Sequence, residues 1–185
     1  MRFWRASVFS PSARTAADNG HPLYVWPEQG FGRIDDPEGS YLSFYAADSP
    51  DAAIAERLGN YARWTPAVLQ PPPATPAGSA LALIEYEGEP EVLNLDDPFA
   101  LIDWGLQPSS VVSKDRTLTQ RWARAVYDSG RYDGISWWSY RDPRWATYGF
   151  WSREGLEVVG SPTPLSLDSA ELVEAARVIN RVIER

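Results

Sequence analysis

The order of strand-like and helix-like segments constrains the fold of this chain more than any single motif. Short runs that are rich in aromatic and β-branched residues, and bounded by Gly, Pro or Asp, have the composition of strands. They are Phe3–Phe9, Leu23–Trp26, Tyr41–Ala46, Ala80–Tyr86, Glu91–Leu95, Gly134–Tyr140, Ala146–Trp151 and Leu156–Val159. Helical patterns interrupt them without the strict alternation of a parallel doubly wound sheet. We therefore predict an α+β fold with two packed, mostly antiparallel sheets flanked by helices, and a central, buried GISWWSY strand.

Sequence signals for a helix start precede each of the helical patterns. A capping residue followed by proline is typical of a helix N-terminus, and so is a capping residue followed three positions later by Glu or Gln. The predicted starts are Ser49-Pro50, Asp97-Pro98, Thr117 with Gln120, and Asp168 with Glu171. In the first helix, Ile54 and Leu58 share the apolar face, and Glu56 points almost the opposite way, among small residues.

The length of 185 residues is that of one domain with a substantial core, and we expect a single domain over residues 1–185. The proline-rich segment Gln70–Ser79 is expected to be a stiff surface connection. No apolar run reaches the roughly 18 residues of a membrane span, and the first residues lack the apolar core of a signal peptide. Together with the absence of cysteine, these features favour a cytoplasmic protein without a membrane partner.

The composition excludes several kinds of site. The chain has no cysteine and only one histidine, His21, so it can form neither a thiolate metal site nor a zinc site built on several histidines. It has no P-loop and no GxGxxG motif, and we expect no cofactor. The net charge of −8 opposes direct binding to nucleic acid. It leaves room for a small anionic ligand held by local arginines, and it suits a basic protein partner.

Arg33, Tyr45 and Glu56 follow one another at near-even intervals, and two interpretations are open for each. In the GFGR turn, Arg33 either forks onto phosphate oxygens or pairs with Asp35 or Asp36. Glu56 either faces solvent from a short helix or looks into a cleft whose walls are small. Tyr45 is either a core tyrosine or part of the same cleft. Periodicity does not decide between these interpretations.

A second dense region is YDGISWWSYRDPRWATYGFW, in which Ser139 ends an aromatic strand. Most of its aromatic residues must pack in the core or on sheet faces, and some could stack on a flat heteroaromatic ring. Ser139 either caps a turn or also donates a hydrogen bond to a ligand amide. This region is the second candidate for a binding site.

These segments resemble the RES-domain family, which is named for an arginine, a glutamate and a serine. The matching segments occur in family order over nearly the whole chain, and they are FWRA, GRIDDPEGSYLSFYAADSPDAAIAE, VLNLDDPFALIDWGL, TQRWARAVYDSGRYDGISWWSYRD and PLSLDSAELV. On this resemblance Arg33 is the family arginine, Glu56 the glutamate and Ser139 the serine. Trp137 and Trp138 replace the commoner small or tyrosine residues before that serine, which affects the details of the pocket more than its chemistry.

The resemblance implies a fold similar to that of ADP-ribosyltransferases and an enzyme that consumes NAD⁺ as its substrate. It also implies a toxin paired with an Xre-type antitoxin that covers the pocket. On this resemblance the catalytic residues are Glu56, Arg33 and Ser139. Glu56 stabilises a ribosyl cation, and Arg33 and Arg5 hold phosphates. Tyr45, which matches the family's strand tyrosine, contacts the nicotinamide riboside, and Ser139 orients the nicotinamide. The sequence specifies neither the acceptor, which is water, phosphate or a protein side chain, nor whether the protein is a homodimer.

Two other functions are compatible with the same residues. Nine tryptophans permit a non-enzymatic, aromatic-lined domain that binds a nucleotide or a carbohydrate. A degenerate RES fold, kept for antitoxin binding alone, would also contain the matching segments. Release of free nicotinamide from NAD⁺ distinguishes an active enzyme from both.

Overall fold

The structure is a computed structural model, and it describes all residues from 1 to 185. Its strands are β1 (Arg2–Phe9), β2 (Phe44–Ala47), β3 (Arg63–Trp64), β4 (Ala80–Glu87), β5 (Val92–Asn94), β6 (Gly134–Trp138), β7 (Ala146–Phe150), β8 (Glu157–Pro164) and β9 (Val182–Ile183). Its helices are α1 (Pro50–Leu58), α2 (Pro98–Asp103), α3 (Pro108–Val111), α4 (Arg116–Asp128) and α5 (Ala170–Val178), with a 3-10 turn at Pro66–Leu69.

The predicted α+β class and the mostly antiparallel sheet are confirmed. Seven strands form one sheet in the order β5-β6-β7-β2-β1-β4-β8, in which only the β5–β6 pair is recorded as parallel. The second sheet is small, because it consists of β3 and β9 alone, and these two strands are parallel. The GISWWSY strand is β6. It is buried as predicted, but it lies second from the edge of the sheet and not at its centre.

One predicted strand is absent. The Leu23–Trp26 run forms no strand, because Tyr24 donates its backbone N–H to the carbonyl of His21 and the chain turns there. The backbone N–H of Leu23 also donates to His21 Nδ1 over 3.1 Å. His21 therefore acts as a turn residue.

The chain forms two compact units, each assembled from segments that are distant in sequence. The first unit comprises Met1–Tyr24, Ala47–Gly88 and Glu157–Arg185, and the second comprises Val25–Ala46 and Glu89–Leu156. The proline-rich Gln70–Ser79 segment lies within a continuous stretch of the first unit, so it does not mark a boundary between the units. The single domain over residues 1–185 stays a prediction.

In the first unit, β4 pairs with β1 along its whole length and with β8 on its other side. Helix α1 packs against β1 and against α5. This double packing explains the alanines of α1, because small side chains let a helix approach neighbours on two sides. The indole N–H of the fully buried Trp64 donates to the carbonyl of Leu58 at the end of α1.

In the second unit, a hydrophobic core forms around β6 and α4. It consists of Ile34, Leu93, Leu95, Leu101, Val111, Trp122, Ala123, Val126, Ile135 and Trp137. Trp122 and Val126 lie on the buried face of α4, whereas Ala125 is exposed. Ile34 joins this core directly after the GFGR turn, which fixes the backbone at the end of that turn.

The starts of α1 and α2 are confirmed. The Ser49 side chain accepts a hydrogen bond from the N–H of Ala52, and the Asp97 side chain accepts one from the N–H of Phe99. Both caps use contacts within three residues along the chain, which is why the sequence predicts them correctly.

The predicted starts of α4 and α5 are wrong by one or two residues. Helix α4 is capped by Asp115, whose carboxylate accepts the N–H of Leu118, and Thr117 lies inside the first turn. The N-cap position of α5 is Ser169, and the Asp168 carboxylate pairs with Arg185 at 2.7 Å.

The two residues at the start of α4 give a direct test of this correction. We expect Asp115→Ala to lower the free energy of unfolding by about 1 kcal/mol, since it removes a helix N-cap. Thr117→Ala, at an exposed position inside the first turn, serves as the matched control and should change stability by under about 0.5 kcal/mol. Urea unfolding followed by circular dichroism measures the stability of both variants. A larger loss of stability in Thr117→Ala than in Asp115→Ala would mean that Thr117 is the N-cap.

Candidate functional site

A buried carboxylate organises the GFGR turn. Asp35 Oδ2 accepts hydrogen bonds from the backbone N–H groups of Gly30, at 2.9 Å, and Gly32, at 2.7 Å. Asp35 Oδ1 accepts the hydroxyl proton of Tyr45 over 2.6 Å, and the Tyr45 oxygen accepts the N–H of Ile34 over 3.1 Å. Because Asp35 is only 5% exposed, these donors replace the water that its charge would otherwise bind.

The same turn is held from its other side by α4. The side-chain amide of Gln120 donates to the carbonyls of both Gly30 and Gly32, each over 2.9 Å. A Cβ at Gly32 would collide with the Tyr45 hydroxyl and the Asp35 carboxylate, so this position requires glycine for the close approach. Between the two pinned glycines, the side chain of Phe31 is 89% exposed.

The guanidinium of Arg33 spans from the turn to the end of α3 and the core. Its Nη1 donates to the carbonyls of Val111, at 2.5 Å, and Ser113, at 2.8 Å. Its Cζ lies 6.0 Å from the ring centroid of Trp137, at the limit of a cation–π contact. Arg33 thus binds the backbone of a loop 78 to 80 residues away, and it lies beside the ring of Trp137.

The alternative pairing of Arg33 with Asp35 or Asp36 is wrong, because both carboxylates have other partners. The contacts of Asp35 are those to the turn and to Tyr45. Asp36 accepts the N–H of Ser40 over 2.6 Å and pairs with Arg124 at 3.2 Å. Burial raises the pKa of Asp36, but these hydrogen bonds and the Arg124 charge outweigh burial, so its pKa lies below the usual value.

Tyr45 and Arg33 meet at the same indole. The ring of Tyr45 contacts Trp137 edge-on, with 6.4 Å between centroids and an interplanar angle of 85°. The opposing strand β7 makes room for this indole with Gly149, where a Cβ would collide with Ile34 and come within 3.4 Å of Trp137. The structure therefore brings Arg33 and Tyr45 together, although they are on different elements.

Tyr45 is a neutral phenol whose hydroxyl already donates its proton in a hydrogen bond to Asp35. Burial, followed by the nearby Asp35 charge and the hydrogen bond to it, raises the pKa of Tyr45 well above its usual value. The hydroxyl donates to Asp35, and its oxygen accepts the Ile34 N–H. This geometry favours contact with a ligand through the ring of Tyr45 and not through its hydroxyl proton.

Ser139 lies directly after β6, two residues along the chain from Trp137, and it is buried. Its backbone N–H donates to the carbonyl of Trp145 over 2.7 Å, and its Oγ accepts the N–H of Arg141 over 3.1 Å. The turn-capping interpretation of Ser139 is therefore confirmed. A contact with a ligand stays a prediction.

The other two predicted residues belong to the first unit. Glu56 lies on α1 and is half-buried, and the Ala52 and Ala53 side chains next to it are fully buried. The small residues around Glu56 thus belong to a packed surface and not to an open helix face. Arg5 lies on β1 and is also half-buried, and its Nη1 donates to the carbonyl of Tyr24 over 2.9 Å. That Glu56 and Arg5 act together with Arg33, Tyr45 and Ser139 stays a prediction.

A cavity of about 490 Å³ in the second unit contains none of the predicted residues. It lies beside β5 and α2, and Trp104, Tyr132 and Arg131 contribute its aromatic and cationic wall. The Arg131 guanidinium lies 5.3 Å from the ring centroid of Tyr132. Its volume falls in the range of small-molecule sites, so this cavity is a separate candidate for binding.

Sequence reasoning missed Asp35 and Gln120 as parts of the candidate site. The sequence indicates Asp35 only as an ion-pair partner of Arg33, and Gln120 only as a capping residue. The contacts of Gln120 reach 88 and 90 residues back along the chain, and no local pattern signals them. The glycine–aromatic–glycine turn before Arg33 was the available signal, since it indicates close backbone approach.

The fold places the chain among α+β proteins built on a mostly antiparallel sheet. The RES-domain family model matches residues 2–169, and the chain belongs to this family. The MbcT toxin chain in the crystal structure of the M. tuberculosis MbcT-MbcA toxin-antitoxin complex superposes with a TM-score of 0.59 at 17% identity. The match covers 97% of this chain and 88% of that chain, and at this identity it supports the fold. The comparison with curated proteins gives no match.

None of the helices has both the length and the apolar character needed to cross a membrane.

The raised pKa of Tyr45 makes stability depend on pH in the alkaline range. Tyr41 and Tyr86 also have raised pKa values, chiefly through burial. The folded state keeps these protons at a pH at which the unfolded chain releases them. The free energy of unfolding should therefore fall as the pH rises above about 10.

Tyr45→Phe removes one of these titrations. We expect the alkaline slope of this variant to be shallower than that of the wild type by up to about 1.4 kcal/mol per pH unit. Urea unfolding between pH 8 and roughly 11.5 measures the slope independently of the neutral-pH stability that the lost hydrogen bonds cost. Equal slopes would mean that Tyr45 is not held protonated by burial and Asp35.

Proposed function

We propose that this protein is an NAD⁺-cleaving enzyme that acts as the toxin of a toxin–antitoxin pair. Membership of the RES-domain family supports this proposal. The observation that carries it is the convergence of Arg33 and Tyr45 on the ring of Trp137. A guanidinium suits a pyrophosphate, and the half-buried ring of Tyr45 suits a flat base of a dinucleotide, while the indole of Trp137 is itself buried.

The proposed reaction breaks the bond between the ribose C1′ and the nicotinamide nitrogen. The electron pair of this bond stays on nicotinamide, which leaves as a neutral molecule, so the step needs no strong general acid. The sugar carbon develops the positive charge of an oxocarbenium ion, and an acceptor oxygen forms the new bond and loses its proton. Water gives ADP-ribose, phosphate gives its 1′-phosphate ester, and a protein side chain gives an ADP-ribosyl adduct. This chemistry requires neither a thiol nor a metal ion, so it is compatible with a chain that has no cysteine and one histidine.

Glu56 is assigned to the cationic transition state. Its carboxylate stabilises the developing positive charge, which a neutral side chain of the same shape cannot do. The packed, partly buried position of Glu56 supports this role, because charge–charge stabilisation is stronger where water is scarce. The ADP-ribosyltransferase-like character of the fold is part of the same proposal.

Arg33 and Arg5 are assigned to the phosphates. Each guanidinium already donates to backbone carbonyls, Arg33 to the end of α3 and Arg5 to Tyr24. Phosphate binding therefore requires each arginine to share its donors between the ligand and these carbonyls. This sharing fixes the direction of the guanidinium before a ligand arrives, which lowers the entropic cost of binding.

Tyr45 and Ser139 are assigned to the nicotinamide riboside. Tyr45 contributes its ring, because its hydroxyl proton is held by Asp35. Ser139 orients the nicotinamide amide from the turn after β6, where its backbone is fixed by Trp145. No cofactor takes part, since NAD⁺ is the substrate.

The proposed partner is an Xre-type antitoxin in the cytoplasm. The structural similarity to the chain of a toxin–antitoxin complex supports a protein partner, and the net charge of −8 suits a basic one. A toxin of this kind is safe to its host only while its partner is present.

Glu56→Gln and Arg33→Ala should change different kinetic constants. Glu56→Gln keeps the shape and removes the charge, so we expect kcat for nicotinamide release to fall about 10²–10³-fold with little change in KM. Arg33→Ala removes a contact present in both the ground state and the transition state, so its KM should rise more than its kcat falls. Nicotinamide release over a range of NAD⁺ concentrations measures both constants.

Matched controls are an exposed glutamate and an exposed arginine, Glu28→Gln and Arg121→Ala. Both should show wild-type kinetics. A Glu56→Gln variant that turns over like the wild type at saturating NAD⁺ would make Glu56 a structural glutamate and refute the mechanism.

The toxin role predicts an effect in cells. Expression of the wild-type chain without an antitoxin should deplete NAD⁺ and stop growth, because the substrate is shared by all of metabolism. Glu56→Gln, produced at the same level, should be tolerated. Measured NAD⁺ and growth after induction test this, and unchanged NAD⁺ in growth-arrested wild-type cells would contradict the proposed substrate.

The cavity beside β5 and α2 favours a second candidate function, a binding domain for a nucleotide or a carbohydrate. Its aromatic wall, formed by Trp104 and Tyr132, is typical of sites that stack flat or sugar rings. The nicotinamide assay separates the candidates, because a binding domain releases no nicotinamide whatever it binds.

A further inference from the structure

We propose that Asp35 is a positioning residue that sets the geometry of both Arg33 and Tyr45 for the reaction. The proposal rests on the proposed function and extends it to a residue to which the family resemblance assigns no role. Asp35 itself touches neither the substrate nor the reacting atoms in this assignment. It acts through the two groups that it holds.

The two oxygens of Asp35 hold different parts of the site. Oδ2 holds the backbone of the turn through Gly30 and Gly32, and Oδ1 holds the side chain of Tyr45. One rigid, planar carboxylate therefore connects a loop to a strand. Hydrogen bonds to an ionised acceptor are roughly twice as strong as neutral ones, so this connection is stiff.

Arg33 lies between two residues that are bound by Asp35 and Tyr45. The residue before it, Gly32, donates its N–H to Asp35, and the residue after it, Ile34, donates its N–H to the Tyr45 oxygen. The backbone is thus fixed on both sides of Arg33 by the Asp35–Tyr45 pair. The direction in which the guanidinium leaves the turn follows from these two contacts.

The carboxylate of Asp35 is closely packed on all sides that the turn and Tyr45 occupy. The space that a Cβ at Gly32 would need is filled by the Asp35 carboxylate and the Tyr45 hydroxyl. On the far side, Gln120 holds the carbonyls of Gly30 and Gly32. A displaced carboxylate must therefore move the turn, the ring of Tyr45, or both.

Asp36 provides a matched control for Asp35. It is the next residue, it is 6% exposed against 5% for Asp35, and it also accepts two backbone N–H groups. Its contacts go to Glu38, Ser40 and Arg124, and none goes to Arg33 or Tyr45. A general effect of neutralising a buried acid should appear in both variants, whereas a positioning effect should appear only in Asp35.

The test compares Asp35→Asn with Asp36→Asn in the full chain. An asparagine has one acceptor oxygen and one NH₂ group, so Asp35→Asn must turn a donor toward either the glycine N–H groups or the Tyr45 hydroxyl. We expect kcat/KM for nicotinamide release to fall about 10–100-fold, as for a displaced catalytic group. Asp36→Asn should stay within about threefold of the wild type when both are assayed below their unfolding temperatures.

Two further readouts separate positioning from loss of stability. In a double-mutant cycle, Asp35→Asn should cost several-fold less in the Tyr45→Phe background than in the wild type, since its partner is already gone. Asp36→Asn should cost the same in both backgrounds. Amide hydrogen exchange should show protection lost at Gly30, Gly32 and Ile34 in Asp35→Asn, with core amides such as that of Ile135 still protected.

The outcomes decide both proposals separately. Wild-type kcat/KM in Asp35→Asn, or equal losses in the two asparagine variants, would overturn the positioning role of Asp35. If the wild type neither binds ADP-ribose in calorimetry nor releases nicotinamide, the proposed function fails. In that case the amide exchange pattern still decides whether Asp35 fixes the turn, and unchanged protection at Gly30, Gly32 and Ile34 would refute that as well.

Discussion

The hydrogen bonds that Asp35 accepts in the protein interior are the constraint on which the rest of the candidate site depends. A buried polar group that loses water must find donors or acceptors in the protein, and the donors to Asp35 come from the turn before it and from Tyr45. The arrangement dictates a glycine at position 32 and a protonated phenol at position 45. It also leaves Arg33 with one backbone direction, along which the guanidinium reaches the end of α3 and the ring of Trp137.

Helix starts could be predicted from the sequence where a capping residue is followed directly by proline. Ser49 and Asp97 cap their helices through N–H groups two or three residues away, and both starts are correct. The α4 start is wrong because Asp115 caps the helix two residues before Thr117. The side chain of Gln120 binds a turn in the first quarter of the chain and not the helix start. Leu23–Trp26 has the composition of a strand, but a hydrogen bond between Tyr24 and His21 turns the backbone there. The errors thus arise where a second local cap or turn competes with the predicted one, and where a distant contact draws a side chain away from its own helix.

The residue types of the candidate site could be predicted from the sequence, but the hydrogen bonds between these residues could not. The GFGR turn indicates close approach of the backbone, and Gly32 is indeed packed against its neighbours without room for a side chain. The partners of Arg33 lie 78 or more residues away, and no spacing rule finds them. Asp35 and Asp36 are chemically identical neighbours in the sequence, yet one holds Tyr45 and the other Arg124. Only the path of the chain distinguishes them.

The discontinuous composition of the two units has a consequence for how the protein is made. The turn that carries Arg33 is completed by Val111, Ser113 and Gln120, and the first unit is completed by its last segment, Glu157–Arg185. During synthesis from the N-terminus, neither unit can close until most of the chain has left the ribosome, and contacts between such distant segments form slowly. A nascent chain therefore carries Arg33 and Tyr45 for most of its synthesis without the contacts that arrange them. For a protein whose proposed activity harms the cell that makes it, this delay would give a partner time to be present before the toxin is assembled.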